Sequence, residues 1–148
     1  MMRLSTKGRY GARVMLELAL NYGKGPVFLK DIAKNQEISE GYLEHILPPL
    51  KMAGLVNSSR GSRGGYALAK PSSQITLGQV VKAVEGDLAI VDCITEPKVC
   101  NRLKYCVTRE IWQDLSQKIT SMLDSISLQD LANRQLKKQG NSTLMYSI

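Results

Sequence analysis

LKDIAKNQEISEGYLEHILPPLKMAGLVNSSRGSRGGYALA, residues 29–69, is the stretch that decides the fold. Its first half holds two short apolar stripes at helical spacing. From Leu29 to Lys34 a helix would turn Ile32 and Ala33 inward. Asn35-Gln36-Glu37 interrupts it, and Ser39 then offers a hydroxyl to the free N–H groups of a second helix. That helix has Tyr42, Leu43, Ile46, Leu47 and Leu50 on one face. Two short helices joined by a three- or four-residue turn predict a helix-turn-helix. Pro48-Pro49 breaks a local rule, because each proline removes a backbone donor and crowds the preceding turn. A kink or early termination is expected there.

The second half, from Gly54 to Ala69, reads as strand, glycine-rich turn and strand, with Leu55 and Val56 opposite Tyr66 and Leu68. A basic hairpin directly behind a helix-turn-helix is a wing. Its tip carries Arg60 and Arg63 among Gly61, Gly64 and Gly65. Glycines let backbone come close to phosphates, and an arginine there can enter a narrow minor groove.

Working outward, Val14, Met15, Leu18, Ala19 and Tyr22 predict a helix over Gly8–Tyr22. Thr76-Leu-Gly-Gln79 is a capping box opening a helix that ends at Gly86. Residues 89–106 have no clean period and contain Pro97, so a loop is expected. A longer helix starts near Thr108 and runs to Ile126, with Ile111, Trp112, Leu115, Ile119, Met122 and Leu123 apolar. A second capping box, Ser127-Leu-Gln-Asp130, opens a last helix to about Lys137. The expected fold is mainly α with a small β-hairpin wing: a winged helix-turn-helix plus a long dimerisation helix. Its parts are a DNA-binding domain over 1–75, a connecting helix over 76–92 and a cysteine loop over 93–106. The dimerisation and terminal helices span 107–137, and a flexible tail spans 138–148.

Charge is divided unevenly between the halves. Residues 1–70 carry eleven Lys/Arg against five Asp/Glu, whereas residues 71–148 carry nine against eight. The positive field therefore sits on the winged half, as expected if that half meets a polyanion. No apolar run approaches the roughly 18 residues of a membrane span. The basic N-terminus lacks the continuous apolar segment of a secretion signal. A cytoplasmic protein with no membrane partner is expected, and in that compartment clustered cysteines bind metal or sense redox state more often than they pair.

All three cysteines, Cys93, Cys100 and Cys106, lie in one segment with six and then five residues between them. Neighbouring Lys98, Arg102, Lys104 and Arg109 favour the thiolate, the form that binds metal. Soft sulfur selects iron–sulfur clusters, zinc or copper(I). The spacing is unlike the close pairs of a zinc ribbon. An iron–sulfur cluster is the preferred reading, ahead of a metal-free thiol switch, with zinc or incidental cysteines behind both. A redox enzyme lacks support, since the chain has no nucleotide fingerprint and no nucleophile–base pair. The long helix could cover its own module or pair with a second copy. Pairing is expected, because one winged helix reads too few base pairs and a twofold dimer reads two half-sites.

Arg3-Leu-Ser-Thr-Lys-Gly-Arg-Tyr10, Gly25-Pro26, Ile38-Ser39, Tyr42-Leu-Glu44, Ala53-Gly-Leu-Val56, Arg60-Gly61 and Gly64-Gly-Tyr66 resemble the IscR/CymR/NsrR family of winged-helix regulators over residues 2 to about 135. The resemblance implies a homodimer on a pseudo-palindromic double-stranded operator, acting as a repressor. The helix from Ser39 would enter the major groove, with Gly41, Tyr42, Glu44, His45 and Lys51 touching DNA. Glu44 suits base reading, since a carboxylate accepts from a cytosine amino group. Arg60 would probe the minor groove, and Lys7, Arg9 and Arg63 would lie near phosphates. Cys93, Cys100 and Cys106 would hold an iron–sulfur cluster, 2Fe-2S in preference to 4Fe-4S. Iron–sulfur biogenesis genes would be the targets, and iron–sulfur assembly proteins would be partners.

Two departures bear on the cluster. The IscR branch has a histidine three residues after the last cysteine, and here that position is Arg109, which stays protonated and cannot coordinate. The nitric-oxide-sensing branch uses an N-terminal acid of the partner chain, and here the matching residue is Arg9. A fourth ligand would come from Asp92, Glu96, Glu110 or His45, or from water or a small thiol.

Overall fold

Ser5 begins the first helix, α1 (Thr6–Leu20), with its hydroxyl accepting from the Gly8 N–H at 3.2 Å. The computed structural model describes residues 3–61 and 64–146, with side chains to Gly140. Val14, Met15 and Leu18 of α1 are buried, as their spacing predicts.

The two helices read from the opening stretch are present as α2 (Leu29–Gln36) and α3 (Glu40–Met52). The turn between them passes through Glu37 in the left-handed region, φ 55°. Ser39 caps α3 by accepting from the Tyr42 N–H at 3.1 Å. The expected termination at Pro48-Pro49 does not occur, since α3 runs through both prolines to Met52. The missing N–H groups would have bonded to the carbonyls of Glu44 and His45, both exposed residues on the outer face of the helix. A proline inside a helix costs about 3 kcal/mol, while Leu43, Ile46, Leu47 and Leu50 are each almost wholly buried and contribute about 1.5–3 kcal/mol apiece. Packing therefore outweighs propensity. The helix ends instead at Gly54, whose φ of 76° closes a Schellman turn: Leu55 N–H reaches Leu50 O at 3.1 Å and Gly54 N–H reaches Lys51 O at 3.0 Å.

The wing is an antiparallel pair, β1 (Val56–Ser59) and β2 (Gly65–Leu68), in the register Val56 opposite Leu68. Val27 adds a bridge on the far side of Tyr66, with both hydrogen bonds at 2.8 Å. The backbone approaches so closely there that a Cβ at Gly65 would run into the Val27 carbonyl.

Both capping boxes form. Thr76 and Gln79 open α4 (Leu77–Glu85), and Ser127 and Asp130 exchange hydrogen bonds of 2.9 and 3.0 Å at the head of α7 (Leu128–Tyr146). The cysteine segment is not wholly a loop, since it contains the one-turn helix α5 (Asp92–Thr95) and a 3-10 turn at Pro97–Val99. The long helix is α6 (Val107–Asp124). α7 continues past the expected end near Lys137, because nothing after it forces a stop and Gly140 alone costs a helix about 1 kcal/mol.

One core joins these pieces. Leu128 and Ala132 of α7 are buried with Val14, Leu50, Ile75 and Val80 in a single apolar cluster. Residues 75–77 pair with 126–128 through Leu128 N–H to Ile75 O and Leu77 N–H to Ile126 O, both 2.8 Å. The terminal helix thus closes the winged module across the expected boundary at residue 75, while α6 lies outside, packed on α4.

Candidate nucleic-acid interface and cysteine segment

α3 buries Leu43, Ile46, Leu47 and Leu50, which leaves the opposite face open to solvent. Gly41, Glu44, His45, Pro48 and Lys51 are exposed on that face at helical spacing. Tyr42 is half-buried, edge-on to Tyr10 of α1 with ring centroids 5.4 Å apart and planes at 78°. Lys51 is not free in solvent: its ammonium donates to Ser58 Oγ at 2.7 Å, tying the end of α3 to β1. Lys7 and Arg9 are exposed in the first turn of α1, and the Arg9 guanidinium lies 5.9 Å from the Tyr10 ring centre. Arg60 is exposed where β1 leads into the wing tip. Arg63 lies outside the described residues.

Sequence reading missed a polar network behind this face. Glu17, on the buried side of α1 at 6% exposure, accepts from Asn35 Nδ2 at 2.6 Å and from Gln36 Nε2 at 2.9 Å. Arg13, one turn earlier, donates through Nε to Gln36 Oε1 at 3.4 Å and through Nη2 to the Gln36 carbonyl. The available signal was an acid within the apolar stripe between Val14 and Leu18. Its partners lie in another helix, where sequence spacing gives no guide.

The three thiols are free and half-buried. Among the described residues no group of three or more His, Cys, Asp or Glu side chains is gathered to hold a metal ion. Cys106 lies at the start of α6, its sulfur 3.2 Å from Thr108 Oγ1. That hydroxyl, helped by the backbone N–H of Arg109, holds the Cys106 thiol below its ordinary pKa and favours thiolate. Arg109, in the position of the expected histidine, donates through Nε to the Cys93 carbonyl at 3.5 Å and through Nη1 to Gln113 Oε1 at 3.5 Å. It binds the two ends of the cysteine segment together without offering a ligand. The linker before the segment is fixed to the same helix, since the buried Ser116 hydroxyl accepts from Ile90 N–H at 3.1 Å.

Residues 4–134 match the family model described as Rrf2, iron-dependent transcriptional regulator. The chain belongs to the Rrf2 family. Among Rrf2 relatives, the HTH-type transcriptional regulator CymR of Bacillus subtilis is 40% identical over 132 residues, covering 89% of this chain and 91% of CymR. IscR of Klebsiella pneumoniae is 42% identical over 134 residues, 90% of this chain and 82% of IscR. Of solved structures, T. potens IscR superposes with a TM-score of 0.77 at 38% identity, covering 93% of this chain and 91% of that one. B. subtilis CymR, described as the global cysteine regulator, gives 0.75 at 40% identity over 90% and 98%. The fold is therefore that of the Rrf2 winged-helix regulators, and the chain is a DNA-binding transcription regulator, not an enzyme. The IscR and CymR likenesses are equally deep, so the choice of sensing chemistry falls to the chain's own cysteines. No helix among the described residues is long and apolar enough to cross a membrane.

Proposed function

We propose that this Rrf2 regulator acts as a cytoplasmic homodimeric repressor on a pseudo-palindromic operator. Cys93, Cys100 and Cys106 hold an iron–sulfur cluster that sets its DNA affinity, and iron–sulfur biogenesis genes are its targets. In this reading α3 lies in the major groove with Gly41, Tyr42, Glu44 and His45 at base edges. Lys7, Arg9 and Arg63 meet phosphates, and Arg60 meets the minor groove. Lys51 contributes by holding the wing through Ser58 as well as by its charge.

The observation that carries the cluster is the donor set: three half-buried thiols within one segment, among Lys98, Arg102, Lys104 and Arg109. In kind it fits an iron–sulfur cluster, which takes thiolate ligands. Bound there, a cluster would supply a redox- and oxygen-sensitive centre. The chain's residues then do the signalling. The segment is tied to α6 by Arg109 and Ser116, so ordering it biases α6 and whatever α6 packs against. Regulation requires that the two states differ in DNA affinity, because a ligand with no preference shifts nothing.

A second reading is a metal-free thiol switch. The half-buried Cys106 at the head of α6, its thiol held below its ordinary pKa by Thr108, favours it. Anaerobic purification with visible absorption, iron and sulfide analysis separates the two. A protein that stays colourless after reconstitution removes the cluster and leaves the thiol switch.

The dimer rests on α6. Ser116 is buried and Ile119 and Leu123 are half-buried on its inner side, whereas Val107, Ile111 and Met122 are 70, 56 and 65% exposed on a face they share with Lys118. Apolar side chains repeated along one open helix face are what a second copy would cover.

A further inference from the structure

We propose that Arg13 is a positioning residue for DNA recognition: by gripping Gln36 and stacking on Tyr10, it sets the angle at which α3 is presented to DNA. This rests on the reading of α3 as the DNA-reading helix.

A helix-turn-helix reads bases only when its two helices hold a fixed relative angle. In this chain the hinge is Glu37-Ile38-Ser39, and its first residue sits at φ 55°, a conformation that non-glycine side chains seldom adopt. Gln36 immediately precedes it. The Gln36 carbonyl belongs to the last turn of α2, where helix carbonyls lack intrahelical donors. Arg13 Nη2 supplies one. The Gln36 side-chain amide is held at both ends, its NH₂ by Glu17 and its oxygen by Arg13 Nε. Asn35 adds a bond to Glu17. Four hydrogen bonds from one edge of α1 therefore fix the last two residues before the hinge.

The same guanidinium reaches the other side of the hinge. It lies 5.2 Å from the Tyr10 ring centre, and Tyr10 is edge-on to Tyr42 in the first turn of α3. Arg13 thus touches the end of α2 directly and the start of α3 through one ring. The apolar core already fixes α3 against the body. Within the clamp Arg13 and Gln36 are half-buried, where water can replace a lost donor, whereas Glu17 is buried and keeps its bond from Asn35. Loss of the Arg13 fork should therefore loosen the hinge more than it weakens the fold.

The test uses the full-length protein and two probes: a duplex enriched from a random-sequence pool by the wild type, and a shuffled duplex of equal composition. Arg13→Met keeps the apolar stem and removes the fork. The expected result is about tenfold weaker binding to the enriched duplex, with the shuffled duplex within about twofold and the melting temperature nearly unchanged. Arg13→Lys, retaining one donor for the Gln36 carbonyl, should recover part of the loss. Unchanged binding to the enriched duplex overturns the proposal. So does an equal fall on both duplexes, which would mark Arg13 as a plain phosphate contact. Should Arg13→Met fail to fold, Gln36→Met removes the amide link alone, and it must show the same selective loss or the clamp is refuted. If the wild type enriches no sequence, the underlying DNA reading fails first and the clamp with it.

Discussion

Glu85, the last residue of α4, accepts a 2.7 Å hydrogen bond through Oε1 from the backbone N–H of Ser5, the N-cap of α1. The carboxylate therefore stands at the positive end of α1, beside the turn that carries Lys7 and Arg9. Gly8 leaves room for the same approach, since a Cβ there would press on the Glu85 carboxylate and make it shift. Beyond Glu85 the chain turns at Gly86, φ 85°, and leads into the cysteine segment. One side chain thus joins α4, which leads into the cysteine segment, to the turn of α1 that carries Lys7 and Arg9. Glu85→Ala should cost about 1 kcal/mol, read as a lower urea midpoint at unchanged m-value, and should weaken DNA binding through the freed first turn of α1. Wild-type affinity in this variant would show that the contact plays no part in presenting Lys7 and Arg9.

Base readers and phosphate binders should separate in mutagenesis. Glu44 is exposed at the centre of the open face of α3, and Glu44→Ala should change which sequences are enriched from a random pool, by about 1–3 kcal/mol at the affected position. Lys7→Ala should weaken all duplexes alike and reduce the slope of log affinity against log salt by about 1. Equal behaviour of the two variants would cancel these role assignments.

The parts of this molecule that local chemistry governs were readable without coordinates. Ser39, Thr76 and Ser127 are caps because their hydroxyls reach N–H groups within three residues, and all three helix starts follow. The wing hairpin follows from two short apolar strands flanking a glycine-rich turn, whereas its register came only with the structure. Pro48-Pro49 does not end α3, because the cost of the prolines is local, whereas the burial of Leu47 and Leu50 against distant elements is not. For the same reason the docking of Leu128 into the winged core was not legible, nor was the clamp of Arg13 and Glu17 on Gln36. In the cysteine segment the three thiols were plain, but the sequence could not show that Arg109 fastens the segment to α6.

Acid should expose the second capping box. The Ser127 backbone N–H, and then its hydroxyl, hold the Asp130 carboxyl below its ordinary value of 3.8. A depressed folded-state value means that the contribution is complete above the unfolded value and is lost as pH falls through the folded one. Asp130→Ala should therefore be less stable than wild type at pH 7, with the gap between their denaturation midpoints closing below pH 3.8. Equal deficits at pH 7 and pH 3 would mean that the ionised carboxylate is not what holds the cap.

Association should depend on the open face of α6. Ile111→Asp places a charge beside the exposed Val107 and on the same side as the exposed Met122. Burying an unpaired charge is costly enough to disfavour pairing. Sedimentation should show the wild type at twice the chain mass and Ile111→Asp at the single-chain mass, with operator affinity falling as the second half-site contact is lost. A variant that still sediments as a dimer would move the interface elsewhere.

The cluster makes the sharpest demand on Arg109. Replacing Cys93, Cys100 or Cys106 by serine should each abolish visible absorption after reconstitution. Substituting Asp92, Glu96, Glu110 and His45 one at a time should identify the fourth ligand by a spectral shift. Silence in all four would leave that position to an exogenous group. Arg109→His is the gain-of-function arm. It removes a side chain that donates to the Cys93 carbonyl and to Gln113, and it puts an imidazole three residues after Cys106. Neutral imidazole coordinates iron where guanidinium cannot. The variant should therefore keep its cluster longer in air, with slower bleaching than the wild type prepared alongside it. If bleaching is equal or faster, position 109 does not face the cluster, and the contribution of Arg109 to the segment is the fastening to Cys93 alone.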